Sequence, residues 1–138
     1  MPVETETENT PQQIGQNTLS SLLAADSSIL FASACLVDGR SYAHAARESH
    51  PSDAHRTAAI MSSLMGLLES FARETLQSTA LYTSLATEHG SIVIARVPSK
   101  RRMHALCVCS DNSSNLAMTI RSTLDTATKL SESIDGRH

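Results

Sequence analysis

Two cysteines and a histidine near the C-terminal third of the chain have the atoms that bind metal ions. Cys107, Cys109 and nearby His104 offer two thiols and an imidazole, which are common zinc ligands. On a strand, however, Cys107 and Cys109 share one face and His104 points to the other. Structural zinc ligands are usually paired on turns, roughly two to four residues apart. We therefore interpret these cysteines, and Cys35, as small buried hydrophobic residues, and predict no metal site.

A second group of titratable side chains surrounds the predicted start of a long helix. It consists of His50, Asp53 and His55, which could bind a cation or form a pH-sensitive patch. A helix cap with a solvated first turn explains the same residues more simply. We expect that structural role.

A third group is a run of cations, Lys100, Arg101 and Arg102, on a predicted turn. Such a run could contact phosphate groups or acidic lipid. Three cations on a loop are more often only solvated, and the sequence leaves their role open.

Catalytic motifs are absent from the sequence. None of the five glycines belongs to a G-x-x-x-x-G-K phosphate-binding loop, and no serine lies in a G-x-S-x-G elbow. No pair of carboxylates is placed on facing apolar segments. The sequence therefore predicts a protein that is not an enzyme, with no catalytic residue and no cofactor.

The composition is that of one globular domain. The chain has 138 residues, of which 41% are hydrophobic and 18% charged, and such a chain buries about two-thirds of its unfolded surface. Two Phe, two Tyr and no Trp offer little surface for stacking bases, and a net charge of −3 attracts no nucleic acid. The acidic start lacks the pattern of a signal peptide, and no apolar run is long enough to span a membrane. We expect a cytoplasmic protein that binds no nucleic acid.

Apolar periodicity and turn residues predict the order helix, hairpin, long helix, three-strand meander and helix. We expect residues 1–16 to be a disordered tail, residues 17–133 to form the domain and residues 134–138 to be a C-terminal tail. The first helix should begin at Asn17 or Thr18, and the last should be capped by Asn112 or Ser113. The predicted strands are residues 29–37, 40–45, 80–87, 92–97 and 103–110. A two-residue Asp38-Gly39 turn should close the hairpin. Because the helices do not alternate with single strands, the fold class is α+β.

The long helix, residues 51–77, has more apolar surface than one sheet can cover. Pro51 fits its first position and Asp53 its first turn. Its apolar residues fill about half of the circumference, whereas a stripe of about 100° suffices. They form two stripes: Ile60, Leu64, Leu67 and Phe71 in the first, and Ala58, Met61, Met65, Leu68 and Ala72 in the second. We infer that a second subunit covers one stripe, although a helix sunk deep in its own core would show the same pattern. The pattern does not decide which stripe faces the sheet.

The third predicted strand, residues 80–87, contains no charge and no proline. At the edge of a sheet it would lack the usual protection against pairing with another strand. The strand and the long helix would then form one dimer interface. An interior position is the alternative.

The order of the segments and three local motifs resemble the roadblock family, which is named with the dynein light chains and is widespread in bacteria. The apolar run that closes on Asp38-Gly39 is similar to the family's V-D-x-D-G hairpin turn, although one residue shorter. The long helix that begins near Asp53 is rich in Ala and Leu, as in the family. The last strand leads into a helix start similar to N-L-G-x-x-R, with Asn115, Leu116, Ala117 and Arg121 in the matching places. Alanine replaces the usual glycine. The resemblance covers residues 17–133.

This resemblance implies a profilin-like α/β/α sandwich, in which a five-stranded antiparallel sheet lies between a long central helix and two flanking helices. Roadblock proteins typically dimerise through the long helix and the third strand. The predicted dimer interface is therefore Ile60, Leu64, Leu67, Phe71, Leu81, Thr83 and Leu85. The family's role is non-enzymatic: its members are scaffolds and regulators of small Ras-like GTPases, including a bacterial polarity protein that activates its GTPase. A homodimeric regulator or scaffold of such a GTPase is implied, without a catalytic role for Arg56, Arg73 or Arg121. A small-molecule sensory module is the alternative, because helices on a sheet can enclose a ligand.

Overall fold

The computed structural model describes residues 10–136, which form three helices and five strands. The elements in chain order are α1 (Pro11–Ala25), β1 (Ile29–Leu36), β2 (Ser41–Ala46), α2 (Ala54–Leu76), β3 (Tyr82–Thr87), β4 (Gly90–Arg96), β5 (His104–Asp111) and α3 (Leu116–Ile134). The strands form one antiparallel sheet of order β2-β1-β5-β4-β3. Helices α1 and α3 cover one face and α2 covers part of the other. The predicted five-stranded α/β/α sandwich is confirmed.

Alternation of side chains along the central strand β5 builds a core on each face of the sheet. Leu106 and Val108 lie in the core beneath α1 and α3, whereas Ala105 and Cys107 lie beneath α2. Cys35 joins the second core from β1. Burial raises the pKa of Cys35 to about 11 and that of Cys107 to about 12. Both thiols stay protonated near neutral pH and pack as small hydrophobic groups, as predicted.

The β1–β2 hairpin has a three-residue loop, not the predicted two-residue turn. The Leu36 N–H donates to the Arg40 carbonyl at 2.9 Å, so the loop consists of Val37, Asp38 and Gly39. Gly39 has a φ of +94°, which favours glycine. The N–H of Val37 donates to the carbonyl of Met103 at 2.9 Å. Val37 therefore bonds to the segment that leads into β5 and does not pair across the hairpin.

Helix α1 begins at Pro11, not at Asn17 or Thr18. The Thr10 hydroxyl accepts a hydrogen bond from the Gln13 N–H at 3.1 Å, and Pro11 occupies the start of the helix, where its missing N–H leaves no bond unmade. Residues 11–16 are thus helical, and the predicted disorder is wrong for them. The rest of that predicted tail, residues 1–9, lies outside the described residues.

The other two helices begin later than their first candidate signals, whereas α1 begins earlier than predicted. Asp53 is the cap of α2: its Oδ1 accepts from the N–H groups of His55 and Arg56 at 2.9 and 3.1 Å, and these bonds lower its pKa. Pro51 therefore precedes the helix and does not start it. Asn115 caps α3 by accepting from the Met118 N–H at 2.8 Å. Asn112 and Ser113 lie in the preceding turn.

Gly90, the first residue of β4, lets this strand lie close to the backbone of β5. A Cβ at this position would lie 2.0 Å from the carbonyl oxygen of Ser110, and φ is +158°. Only glycine lets the two backbones approach so closely. The close packing of the start of β4 against the end of β5 thus depends on this glycine.

Candidate protein-interaction surface

The two apolar stripes of α2 have different environments. Ala58, Met61 and Met65 of the second stripe are buried against the sheet. Leu67 and Phe71 of the first stripe are 70% and 68% exposed. Ile60 is also exposed, and Leu64 is partly buried. The second stripe therefore faces the sheet, and most of the first faces outward.

A groove separates α2 from the far side of the sheet. Helix α2 packs chiefly on β1 and β2, so it leaves much of the same face of β4 and β3 uncovered. The groove has a volume of about 410 Å³. Its walls are mainly apolar and include Ile60, Leu64, Leu68, Leu85 and Ile92.

Within residues 10–136, strand β3 forms one edge of the sheet and pairs with β4 alone. Thr83 lies opposite Ile94 and Leu85 opposite Ile92. Because Ile94 lies in the core beneath α2, Thr83 and Leu85 share the face on which α2 lies. The alternative of an interior strand is excluded, and the exposed edge continues the apolar stripe of α2.

The opposite edge, β2, is closed by side chains of α1. Gln16 makes two hydrogen bonds to the backbone of His44: its Nε2 donates to the carbonyl at 2.6 Å, and its Oε1 accepts from the N–H at 2.9 Å. Gln12 Nε2 donates to the carbonyl of Tyr42 at 2.9 Å. These amides occupy backbone groups that an added strand would need. The two edges of the sheet therefore differ: β2 is covered and β3 is open.

An ion pair joins the second half of α2 to the end of β4. Glu69 of α2 accepts from the Arg96 guanidinium of β4 at 2.7 Å, and it also lies 3.6 Å from Arg73. The same carboxylate accepts a weaker hydrogen bond from the N–H of Ala80 at 3.3 Å. These contacts tie the connection between α2 and β3 to the sheet. The exposed faces of the helix and the strand are held in one orientation.

Of the seven residues of the sequence-predicted interface, four line the groove, namely Ile60, Leu64, Thr83 and Leu85. The other three, Leu67, Phe71 and Leu81, lie outside its lining. Ile60, Leu67, Phe71, Leu81 and Leu85 are exposed, and Leu64 and Thr83 are half-buried at the groove. Sequence reasoning missed the groove and two of its wall residues, Leu68 and Ile92. Their apolar character is visible in the sequence, but their access to solvent follows from the position of α2 over β1 and β2.

The other candidate groups of titratable side chains take part in helix capping and in packing within the domain. Asp53 is a helix cap, as predicted, and the ring of His50 stacks on Phe31 with centroids 6.1 Å apart. His104 contacts Tyr42 edge-on at 4.7 Å, and burial, followed by the nearby charge of Arg101, lowers the pKa of this histidine. Within residues 10–136, no group of three His, Cys, Asp or Glu side chains could hold a metal ion. No helix of that same range is long and apolar enough to cross a membrane.

The fold is similar to those of three solved proteins. An MglB with a tetrameric arrangement has a TM-score of 0.80 and 14% identity, with 99% of this chain and 100% of that chain covered. The roadblock/LC7 domain from Streptomyces avermitilis has a TM-score of 0.72 and 15% identity, with coverage of 83% and 92%. Profilin IB of Acanthamoeba castellanii has a TM-score of 0.56 and 9% identity, with coverage of 88% and 97%. No family model and no curated protein sequence matches the chain. The resemblance to roadblock proteins is confirmed at the level of the fold.

Proposed function

We propose that this chain, which has the roadblock fold, is a non-enzymatic homodimeric regulator or scaffold that binds a small Ras-like GTPase. The observation that carries the proposal is the joint surface of α2 and β3. That surface combines exposed apolar side chains with an unpaired strand edge. We call it the α2–β3 surface and define it by the seven interface residues given above.

A second copy of the chain fits the α2–β3 surface. Large contiguous apolar patches are rare on monomeric proteins and usually mark an interface. A two-fold axis would place the same patch of each subunit against its mate, with β3 pairing antiparallel to β3 and α2 packing beside α2. Leu67 and Phe71 would then leave water.

The closed β2 edge favours a limited assembly over an open chain of sheets. If both edges were free, each added subunit would present a new edge, and growth would continue. Gln12 and Gln16 cover backbone groups of β2, so strand addition is directed to β3. The tetrameric arrangement of the MglB structure supports self-association by a protein of this fold.

Binding of a Ras-like GTPase is proposed from the resemblance to roadblock proteins together with this surface. A pair of α2 helices side by side would give a continuous platform across both subunits. The proposal assigns recognition to that platform and assigns no catalytic group to this chain. Regulation would then act through the conformation of the GTPase itself.

The test is to mix the purified protein with a Ras-like GTPase encoded beside its gene, in the GDP state and with a non-hydrolysable GTP analogue. We expect a complex in at least one nucleotide state, measured by sedimentation velocity. The GTP hydrolysis rate is measured in parallel. Absence of a complex in both states, with an unchanged hydrolysis rate, would contradict the proposal.

The groove beside α2 gives the small-molecule alternative a specific place. Its volume of about 410 Å³ is within the range of ligand pockets. Native mass spectrometry of the purified protein separates the two functions. A bound small molecule retained on each subunit would favour a sensory module over a dimer that fills the groove itself.

A further inference from the structure

A second exposed surface lies at the end of the sheet where the β1–β2 loop meets the β4–β5 turn. The hydrogen bond from the Val37 N–H to the Met103 carbonyl, 2.9 Å long, holds the two segments side by side. Val37 is 49% exposed and Met103 is 40% exposed. Two apolar residues thus occupy neighbouring positions in contact with water.

Cations lie close to this apolar pair along the chain. Lys100, Arg101 and Arg102 are exposed in the β4–β5 turn, and none of them forms an ion pair with another of the described residues. Arg40 lies in the facing hairpin and pairs with Asp38 at 2.8 Å, where both side chains are largely exposed. We call this surface the basic tip and define it by Val37, Arg40, Lys100, Arg101, Arg102 and Met103.

The basic tip has the opposite sign to the chain as a whole. Its four cations face two nearby carboxylates, Asp38 and Asp135, which leaves a local surplus of positive charge in a chain whose net charge is −3. An anionic surface would therefore repel most of the molecule and attract this end. The uneven charge would therefore turn the basic tip towards an anionic surface.

The turn that carries the cations is held in place by backbone hydrogen bonds. The Lys100 N–H donates to the carboxylate of Asp135 at the end of α3, at 3.2 and 3.3 Å. The Arg102 N–H donates to the carbonyl of Ser99 at 3.2 Å, and Ser99 is buried. The cations are therefore presented together from a fixed turn.

We propose that the basic tip binds peripherally to the anionic surface of a lipid bilayer. Each Lys or Arg near such a surface contributes attraction to acidic headgroups. Val37 and Met103 insert at the boundary between headgroups and acyl chains. The electrostatic and the apolar contributions come from neighbouring residues, and both favour binding to the bilayer.

A bilayer fits this surface better than an acidic protein does. A specific protein interface covers about 800 Å² on each partner and has an apolar core, and two apolar side chains alone do not supply one. A bilayer accepts single apolar side chains, and its mobile headgroups adjust to the spacing of loop cations. The proposal does not depend on the proposed GTPase function, because the two surfaces are defined by different residues and meet only where Leu81 and Arg102 line one cavity.

The test is co-sedimentation of the full-length protein with vesicles at low ionic strength. One set of vesicles is phosphatidylcholine mixed with phosphatidylserine, and the other is pure phosphatidylcholine. We expect binding to the mixed vesicles only, weakening as salt is added. The double variant Lys100→Glu with Arg101→Glu should bind at least about tenfold less.

A matched control changes the net charge by the same amount elsewhere. Arg121 and Lys129 are exposed on α3, and the double variant Arg121→Glu with Lys129→Glu should keep most of the vesicle binding. Circular dichroism of each variant confirms that it is folded. A further variant, Met103→Ser, should reduce binding severalfold without changing the net charge.

Two results would overturn the proposal. The first is a wild-type protein that does not sediment with the mixed vesicles, or a loss of vesicle binding that is equal in the two double variants. The second is binding of soluble polyglutamate at the basic tip without binding to vesicles, which would assign the surface to an acidic protein partner.

Discussion

Replacement of Phe71 by aspartate tests the proposed dimer at its largest exposed side chain. Full burial of a phenylalanine contributes about 1.5–3 kcal/mol. Because 68% of Phe71 is exposed in the single subunit, a partner would supply about 1–2 kcal/mol of this. A two-fold interface contains the residue twice, so its loss weakens the dimer by about 2–4 kcal/mol, or roughly 30- to 1000-fold in Kd. The aspartate adds the cost of burying an unpaired carboxylate.

Sedimentation velocity over a concentration series measures this change. The isolated subunit should stay folded, because Phe71 contributes little to its own core, and exposed substitutions usually change stability by less than about 0.5 kcal/mol. The matched control is Met118→Asp, which places the same charge at another exposed apolar position, on α3. We expect the control to remain dimeric. A Phe71→Asp protein with the dimer affinity of the wild type, or a Met118→Asp protein that dissociates, would refute the placement of the interface.

Three further predictions concern the folded subunit. Gly90→Ala should lower the free energy of unfolding by more than about 3 kcal/mol in a urea titration, because its Cβ would lie 2.0 Å from a backbone oxygen. Burial lowers the pKa values of His44 and His104, so the unfolded chain binds protons more readily than the folded one. The stability from this source is complete above the unfolded pKa of 6.5 and is lost as the pH falls towards the lower folded values. Urea titrations should give a lower free energy of unfolding at about pH 5 than at about pH 7.5. Equal free energies of unfolding at the two pH values would contradict the prediction. Gln16→Ala removes two hydrogen bonds from the β2 edge and should cost about 1–2 kcal/mol by thermal unfolding, whereas Gln13→Ala should cost little.

The sequence was informative where a local pattern reports a local preference. The apolar run of β1 and the glycine at position 39 predicted a hairpin, and the amphipathic period of α2 predicted a helix with two apolar stripes. Helix starts were less well predicted, because several residues can cap a helix and only one does. Asp53 and Asn115 act as caps through bonds to their own backbone neighbours, while equally suitable residues nearby lie in turns.

The candidate surface was predicted in part. Each of its seven residues could be named from the stripe of α2 and the uncharged third strand. Their exposure to solvent could not be predicted, because it depends on which other elements of the fold cover them. The groove shows this most clearly: Ile92 and Leu68 read as ordinary core residues in the sequence.

By itself, the sequence determined that α2 has more apolar surface than one sheet can cover and that β3 lacks protective charges. Both are properties of side chains at fixed spacing, and spacing is local information. Only the tertiary structure decided that Leu67 and Phe71 face outward, that β3 is an edge, and that Gln16 closes the edge at the other side of the sheet. These depend on how elements far apart in the chain pack together, which the hydrophobic and hydrogen-bonding energies of the whole domain decide together.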